Sequence, residues 1–379
     1  MTVYLDHAAT TPMRPEAVDA MLPWLTTGYG NPSGSHAVSR AARQAVDEAR
    51  DVVAECLGAE PADVIFTGGG TESDNLAVAG VAAATGGTAV CSAVEHHAVL
   101  HPVEALGGHV IPVDELGIVD LEALRAALAA SPDVAVVSVM LANNEVGTVQ
   151  ALAPVAEVVR REAPGAALHT DAVQAFAWLD LVERAAPADL ISIAAHKFGG
   201  PKGVGALVAR PGVKLEPLLR GGGQERDRRS GTHNVAGIVA MAAAMRATVE
   251  QRTATVARLR ALRDRLADQL LALEGVVETA GRATRDQRLP NICHLRIDGI
   301  ESEALLVLLD DAGVCASAGS ACASGALEPS HVLAAMGVAA ASARSSVRLS
   351  LGWPTTAADI DFAVDAIQSA VASLRERTP

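Results

Sequence analysis

Seven short apolar runs lie between residues 63 and 209, separated by longer segments in which apolar residues recur at helical spacing. The runs are nearly continuous in Val, Ile, Leu and Ala, without the strict alternation of a strand that has one face in water. Strands of this kind are typical of a parallel sheet covered on both faces by helices. We therefore predict seven strands, at DVIFT (Asp63), TAVCSA (Thr88), HVIPV (His109), VAVVSVML (Val134), ALHTD (Ala167), DLISIA (Asp189) and VGALVA (Val204).

Two segments near these strands carry the spacing of amphipathic helices. One runs from Ala37 and is followed by Gly58, the residue type that most often ends a helix. The other begins at Asp120, whose side chain is suited to cap the first turn of a helix. The first helix is expected to bury one stripe, formed by Val38, Ala42, Ala45, Ala49, Val52 and Cys56.

The pattern changes after about residue 240. A long amphipathic helix is predicted from Thr253, with its arginines on an exposed face, and a strand (NICHLRI) and a second helix (ESEALLVLLDDAG) follow it. These elements predict an α/β protein of two domains. The large domain covers residues 15–250 and holds a mostly parallel sheet wrapped by helices, and a smaller α+β domain covers residues 1–14 and 251–379.

Charge and hydropathy argue against two classes of partner. The 379 residues include 30 basic and 44 acidic ones, a net charge of −14, which disfavours direct binding to a nucleic acid. No apolar run approaches the roughly 20 residues of a membrane-spanning helix, and the first residues lack the pattern of a secretory signal. We therefore expect a cytoplasmic protein without a membrane partner. The arginine-rich run RGGGQERDRRS, from Arg220, is a local exception that could hold a small anion.

The five cysteines do not form a recognisable framework. Cys56, Cys91, Cys293, Cys315 and Cys322 are odd in number and include no C-x-x-C pair, so neither a set of disulfides nor a structural zinc site is indicated. We expect reduced thiols, with four of the five, Cys315 among them, buried in the core.

A glycine turn follows the first predicted strand, in FTGGGTESDN. Glycines 68–70 allow a tight turn, and Thr71 is expected to start a helix whose free N–H groups could bind a phosphate. Ser73 replaces the third glycine of the dinucleotide fingerprint, and the chain contains no Gly-Lys pair, which excludes a Walker A loop. A purely structural turn remains an alternative.

Three further polar stretches follow predicted strands, where ligands collect in open α/β sheets. Asp171 ends one strand and Gln174 follows it, although an Asp in that place is most often a helix cap. His96 and His97 follow another strand. Adjacent histidines point in different directions, so a shared metal is not expected and one solvated histidine is the simpler alternative.

The last polar stretch is SIAAHKFGG, in which Lys197 follows a buried strand and precedes a glycine-rich turn. A lysine at the end of a buried strand costs folding free energy unless its amine is used. Together the four stretches supply what pyridoxal 5′-phosphate requires: an amine to form an imine with its aldehyde, a phosphate turn, a carboxylate for the pyridine nitrogen and an imidazole to stack on the ring.

The chain resembles the cysteine desulfurases, which have pyridoxal phosphate fold type I and belong to the class V aminotransferase group. The likeness runs nearly end to end through nine ordered motifs: YLDHAATTP, GNPSGSH, FTGGGTESDNLAV, NNEVGTVQ, HTDAVQ, AHKFGGPKG, GGGQERDRRSGTHN, GSACASGALEPSHVL and SSVRLSLG. The resemblance implies that the cofactor is bound by Gly70, Thr71, His96, Asn144, Asp171, Gln174, His196, Lys197 and Thr232.

The resemblance also implies the individual roles. Thr71 with Gly70 binds the phosphate, His96 stacks on the ring, and Asp171 pairs with the pyridine nitrogen. Asn144 lies near the ring hydroxyl and the substrate, Gln174 reaches the ring oxygen, and His196 precedes the imine-forming Lys197. Thr232 reaches the phosphate bound by the other subunit of a homodimer. Many members of the family carry a serine phosphate ligand where this chain has Ala194, which predicts weaker cofactor retention.

Two residues complete the site that the resemblance implies. Cys322 lies in a stretch rich in Ala, Ser and Gly and is the nucleophile that takes the sulfur. Arg348, in a strand-like run, is suited to bind the substrate carboxylate through its planar fork, with an internal salt bridge as the alternative. His96 is a candidate proton carrier in these steps.

The implied reaction converts L-cysteine to L-alanine and passes the sulfur to Cys322 as a persulfide. An acceptor protein then takes the sulfur, either an iron–sulfur scaffold or a tRNA-thiolating enzyme, since the GSACAS loop resembles the branch that serves those pathways. A selenocysteine lyase or another class V aminotransferase is the alternative enzyme. A scaffold protein without catalysis is the alternative of another class.

Overall fold

The computed structural model describes residues 2–318 and 330–377. Its strands are β1 (Val3–Tyr4), β2 (Val64–Thr67), β3 (Thr88–Ser92), β4 (His109–Ile111), β5 (Val134–Ser138), β6 (Ala167–Asp171), β7 (Leu190–Ala194), β8 (Gly205–Ala209), β9 (Val276–Glu278), β10 (Ile292–Ile297), β11 (Val314–Cys315) and β12 (Ser346–Ser350).

The helices lie between and after these strands. They are α1 (Pro15–Thr26), α2 (Ala37–Leu57), α3 (Gly70–Thr85), α4 (His97–Ala105), α5 (Leu121–Ala130), α6 (Leu152–Glu162), α7 (Leu181–Arg184), α8 (Val235–Leu270), α9 (Ser302–Asp311), α10 (His331–Ala335), α11 (Ala340–Ala343) and α12 (Ala357–Arg377). Short 3₁₀ turns span Ala195–Lys197, Gln224–Asp227 and Arg282–Gln287.

The central sheet has seven strands in the order β2-β8-β7-β6-β5-β3-β4. Strand β8 is antiparallel to both neighbours and the other pairs are parallel, so the predicted α/β class with a mostly parallel sheet is confirmed. All seven predicted strands are present. Because β2, β3, β5, β6 and β7 point the same way, the segments that follow them meet at one edge of the sheet.

Helix α2 confirms the predicted helix from Ala37 and its end at Gly58, which has the left-handed conformation (φ 60°). Val38 was predicted to be buried and is 40% exposed, and Cys56 is only half-buried. Both lie at the margins of a stripe centred on Ala42, Ala45 and Ala49, where a helical surface turns from the core towards solvent.

Helix α8 is longer than predicted and begins at Val235, not near Thr253. Its first four turns are rich in Ala and Met and bury nearly every side chain, so they show no polar face from which the helical period could be recognised. The expectation that its arginines are exposed is wrong for Arg263, which is fully buried. Its guanidinium donates to Asp264 (2.6 Å) and to the carbonyl of Leu289 (3.2 Å).

The N-terminal strand belongs with the last third of the chain. Strand β1 pairs with β11 in parallel, with Val3 opposite Val314, while β9, β10 and β12 form a separate antiparallel sheet. The N-terminal residues were assigned with the C-terminal part in the predicted domain division, and that division stays a prediction.

Burial of the cysteines differs from the expectation. Of the four cysteines in the described part of the chain, Cys91 and Cys293 are buried, and Cys56 and Cys315 are half-buried. Cys315 does end a strand, as predicted, but β11 has only two residues and Cys315 is only half-buried. None of the described helices is long and apolar enough to span a bilayer.

Candidate active site

A cavity of about 340 Å³ lies at the carboxyl edge of the central sheet. Segments that follow β2, β3, β5, β6 and β7 form its walls, together with residues 8–9 and strand β12. Of the predicted site residues, those that line it are Gly70, Thr71, His96, Asn144, Asp171, Gln174, His196, Lys197 and Arg348. Thr232 does not line it and is exposed, and Cys322 lies outside the described residues.

Lys197 is at the end of the 3₁₀ turn that follows β7. Its Nζ donates to the carbonyl oxygens of Ala8 (2.6 Å) and Ala9 (2.9 Å). The amine is therefore directed into the cavity and is held there by neutral acceptors.

Asp171 ends β6 and is buried. Burial raises the pKa of its carboxyl to about 6, although the N–H of Val173, which donates at 2.8 Å, and the charge of Lys197 act in the opposite direction. The bond to Val173 N is an Asx turn, and no helix begins here, so the alternative of a helix cap is wrong.

The glycine turn joins β2 to α3. Helix α3 begins at Gly70, one residue before the predicted start, and its first N–H groups have no acceptor within the helix. A Cβ on Gly70 would lie 2.9 Å from Cγ2 of Val173, so any other residue would fill the space at the helix end. Ser73 is fully buried and its Oγ lies 2.7 Å from Oγ1 of Thr67, which fixes the turn from beneath.

Two imidazoles line the cavity together with Lys197: His96, which follows β3, and His196, which directly precedes Lys197. His96 caps helix α4, its Nδ1 accepting from the N–H of Ala98 at 3.1 Å, and Nδ1 of His196 lies 3.1 Å from Oγ1 of Thr10. Burial, followed by the charge of Lys197, lowers the pKa of each to about 4. Both rings are therefore neutral near pH 7, which suits His96 to contact an aromatic ring.

Arg348, in the middle of β12, connects three parts of the site. Its Nη2 donates to Oδ1 of Asp6 (2.8 Å) and its Nη1 donates to the carbonyl of Asn144 (3.0 Å). The internal salt bridge considered as an alternative is thus present. The arginine nevertheless lines the cavity, so the ion pair positions the guanidinium without removing it from the site.

Gln174 and Asn144 both line the cavity. Gln174 donates from Nε2 to the carbonyl of Ala8 at 2.7 Å. The turn before Asn144 is shaped by Asn143, whose side chain accepts from two backbone N–H groups and donates to the carbonyl of Val94 at 3.0 Å.

Three histidines extend from the cavity to the surface, and sequence reasoning assigned none of them a role. The ring of His97 stacks on that of exposed His101 (centroids 4.7 Å apart) and contacts that of His331 (4.5 Å). The ring centroids of His96 and His97 are 6.3 Å apart and the ring planes are inclined at 51°, so the two side chains point in different directions, as predicted. His97 is half-buried in this row, so it does not fit the alternative of a simply solvated ring.

Buried acids near the cavity were also missed. Asp74 lines it and is 2% exposed, and burial, then the nearby Asp171, raises the pKa of Asp74. Glu145 also lines it and accepts from Oγ of Ser330 at 2.5 Å. Both residues lie in sequence motifs in which only neighbouring residues were predicted to act in the site. A carboxylate on an otherwise apolar face is the signal that could have identified them.

These residues fit pyridoxal phosphate. The cavity holds a lysine amine and a buried carboxylate, and a helix N-terminus opens into it where a side chain on Gly70 would occupy the space. An amine, an acid matched to a protonated pyridine nitrogen and a cradle for a phosphate are the three groups that this cofactor needs.

Comparison with known proteins gives a consistent set of relatives. The family model described as aminotransferase class-V matches residues 3–362. An IscS-like cysteine desulfurase from Mycobacterium tuberculosis is 49% identical over an alignment of 384 positions, which covers 98% of this chain and 97% of that protein.

Solved structures agree with this. A NifS-like protein matches with a TM-score of 0.91 and 34% identity, over 98% of this chain and 100% of that one. A structure described as SspA in complex with cysteine matches with a TM-score of 0.80 and 30% identity, over 94% of this chain and 100% of that one. The predicted fold class is therefore confirmed for the chain as a whole.

Proposed function

The chain belongs to the class-V aminotransferase family, among its cysteine desulfurases, and we propose that it uses pyridoxal phosphate to convert L-cysteine to L-alanine and pass the sulfur to its own Cys322. The observation that carries this proposal is the meeting of Lys197, Asp171 and the glycine turn in one cavity, with Arg348 beside them.

Each residue has a task that its position supports. The phosphate would be held by the first turn of α3 with Thr71, the pyridine nitrogen by Asp171 and the ring face by His96. When bound, the cofactor supplies an aldehyde and an electron sink. Lys197 lines the cavity and its Nζ lies beside the carbonyl oxygens of Ala8 and Ala9, so once released it can remove the Cα proton of the substrate.

Arg348 and Asn144 form the substrate end of the proposed site. The arginine has Asp6 on one side, which fixes its planar fork, and the substrate carboxylate would bind its cavity side. His96, neutral near pH 7, can accept a proton from the substrate and return it. Gln174 and His196 support the same region through Ala8 and Thr10.

The remaining assignments follow the family likeness. The thiolate of Cys322 would attack the substrate sulfur and form an S–S bond while the substrate Cβ–S bond breaks; the electron pair of that bond stays with the carbon, which takes up a proton to give alanine. An acceptor protein then takes the persulfide sulfur, either an iron–sulfur scaffold or a tRNA-thiolating enzyme. We propose a homodimer in the cytoplasm, in which Thr232 reaches the phosphate of the other subunit. The division into a large domain of residues 15–250 and a small domain of the rest belongs to the same proposal.

The test is whether Lys197 alone carries the cofactor. Pyridoxal phosphate is added, the product is reduced with borohydride, and the modified peptide is identified by mass. We expect the label on Lys197 and none in Lys197→Ala, with Lys214→Ala, an exposed lysine away from the cavity, labelled as in the wild type. A label on another residue would refute the site.

The rival enzymes are separated by substrate and product. Alanine and sulfide should appear from L-cysteine in the presence of a reductant. A selenocysteine lyase would act on selenocysteine and leave cysteine unchanged, and an ordinary aminotransferase would pass the amino group to a keto acid. A scaffold without catalysis would give neither product.

A further inference from the structure

The segment of residues 223–233, here called the arginine segment, has a strained backbone. Three consecutive non-glycine residues adopt the left-handed conformation: Glu225 (φ 51°), Arg226 (58°) and Asp227 (63°). Each such residue costs free energy, and strain of this kind persists only where surrounding contacts hold it. The contacts that hold this segment therefore indicate its purpose.

Glu225 makes more side-chain hydrogen bonds than any other residue of the arginine segment. Its side chain is 2% exposed, and its carboxylate accepts from Nη2 (2.6 Å) and Nη1 (2.8 Å) of Arg50, from the N–H of Phe66 (2.9 Å) and from Nε2 of His233 (2.7 Å). Burial alone would raise its pKa, but the hydrogen bonds from Arg50 and His233 lower it to about 2. Glu225 is thus ionised and fully engaged.

A second ion pair fastens the same segment. Arg229 donates from Nε to Oε1 of Glu72 at 2.7 Å, and Oε2 of Glu72 accepts from the N–H of Gly68 at 2.7 Å. Glu225 therefore joins the arginine segment to strand β2 through Phe66, and Arg229 joins it through Glu72 to the glycine turn of the proposed phosphate site. The other arginines of the run are also engaged by oxygen atoms of this chain: Arg220 by Glu216, and Arg226 and Arg228 by the carbonyl of Ala62. The small anion considered for this run would have to displace them.

The contacts leave one short stretch directed outwards. Glu225 fixes His233, and the preceding residue, Thr232, is exposed and does not line the cavity of its own chain. Nδ1 of His233 is buried and has no hydrogen-bond partner within the described residues of this chain. The end of the segment is thus held rigidly where a second molecule can contact it.

We propose that Glu225 is a positioning residue that holds Thr232 in place for the cofactor site of a second copy of this chain. The inference rests on the proposed function and on its homodimer. The alternative is that Glu225 acts within its own subunit, through Phe66 and the glycine turn. Both effects would weaken the cofactor site in a uniform Glu225→Gln dimer, so the uniform variant does not separate them.

Mixed dimers with two affinity tags separate the two effects. One subunit carries Lys197→Ala, so the lysine-bound cofactor and its visible absorbance come from the other subunit alone. In the first arrangement, Glu225→Gln is placed on the Lys197→Ala subunit and the partner is wild type. In the second, Glu225→Gln is placed on the subunit that keeps Lys197. The reference dimer pairs Lys197→Ala with wild type.

The readout is the rate at which the visible absorbance is lost on dilution into a cofactor trap. We expect the first arrangement to lose cofactor about tenfold or more faster than the reference, the size expected for one hydrogen bond to a charged group. The second arrangement should match the reference. The reverse pattern would show that Glu225 acts through its own glycine turn and would overturn the proposal.

Thr232→Ala, tested in the same two arrangements, separates this inference from the proposed contact of Thr232 with the cofactor site of the other subunit. If Thr232→Ala acts from the first arrangement and Glu225→Gln does not, the role of Glu225 is refuted and the contact of Thr232 stands. If Thr232→Ala has no effect from either arrangement, both the role of Glu225 and the contact of Thr232 are refuted. If Glu225→Gln does not yield folded protein, His233→Ala removes one contact of Glu225 and should give the same pattern with a smaller rate change. If a folded His233→Ala dimer did not show this pattern of cofactor loss, the proposal would be overturned.

Discussion

Lys197 and Gln174 donate to the same carbonyl oxygen, that of Ala8, at 2.6 and 2.7 Å. Two side chains that follow neighbouring strands of the central sheet are therefore held by the N-terminal segment, which is paired with the last third of the chain. The segment that completes the cavity at Ala8 is therefore anchored by the pairing of β1 with β11.

Asp171→Asn removes the ionised partner that the proposal gives to the pyridine nitrogen. We expect alanine formation from L-cysteine to fall by about 10²- to 10³-fold, the usual loss when one preorganised charge interaction is removed from a reacting centre. Lysine-bound cofactor should still form, because Lys197 is unchanged. Asp51→Asn, an exposed aspartate on α2, serves as the control. Full activity in Asp171→Asn would contradict the assignment.

Ala194→Ser should tighten the binding of the cofactor. Ala194 lines the cavity, and its Cβ lies 3.4 Å from the place a Cβ would have on Gly70, so a hydroxyl there would be near the proposed phosphate cradle. One added hydrogen bond is worth about 0.5–1.5 kcal/mol, or about a two- to tenfold lower dissociation constant. Equilibrium dialysis measures it, with Ala186→Ser on the surface as the control. Equal or weaker binding by Ala194→Ser would refute the prediction.

His96 and His196 should remain neutral well into acid. Burial, then the charge of Lys197, lowers the pKa of both from 6.5 to about 4 in the folded chain. Because the unfolded chain takes up these protons near pH 6.5, each ring destabilises the fold progressively as the pH falls from about 6.5 to 4, and neither does so above that range. NMR of histidine-labelled protein, assigned with His96→Gln and His196→Gln, should show no titration of either ring between pH 8 and 5.5. A midpoint near 6.5 would contradict the burial argument.

Arg348→Lys should weaken substrate binding. Lysine keeps the charge but cannot contact Asp6, the carbonyl of Asn144 and a carboxylate with one planar group. We expect kcat/KM for L-cysteine to fall about 10- to 100-fold, mainly through KM, as for loss of a hydrogen bond to a charged group. The exposed Arg344→Lys is the matched control. A loss confined to kcat would indicate a role for Arg348 in the reaction step instead.

Cys322→Ser should abolish sulfur transfer and leave the cofactor bound. The serine hydroxyl is not a nucleophile for sulfur, whereas Lys197 and Asp171 are unaffected. Persulfide formation is measured by mass, and the cofactor by its visible absorbance. Cys56→Ser and Cys315→Ser are the controls, since both thiols are half-buried in the described structure. Unchanged sulfur transfer in Cys322→Ser would refute the thiol assignment.

Strand periodicity was sufficient to predict the central sheet, because all of its strands except the exposed edge strand β4 are buried along most of their length and show this as a continuous apolar run. Helix α8 was predicted too short, since its Ala- and Met-rich start at Val235 has no polar face to mark a period. Arg263 was misplaced for a related reason, because a charged residue on a helix is assumed to be exposed unless its partners, here Asp264 and Leu289, are known.

Prediction of the site was limited in the same way. Lys197, Asp171 and the glycine turn could be found because each follows a strand, and the sheet brings those ends together. Asp6, His331 and Glu225 could not be found in this way, because their partners are far away in the sequence. Contacts of this kind follow from the fold and not from local spacing.

The pairing of Val3 with Val314 also has a consequence for how the protein is made. During translation β1 leaves the ribosome long before β11 has been synthesised, so this edge of the cavity stays open until β11 has emerged. The nascent chain should therefore be unable to retain pyridoxal phosphate until that point. Ribosome-bound chains stalled before residue 314, and far enough after it for β11 to have left the exit tunnel, would show it.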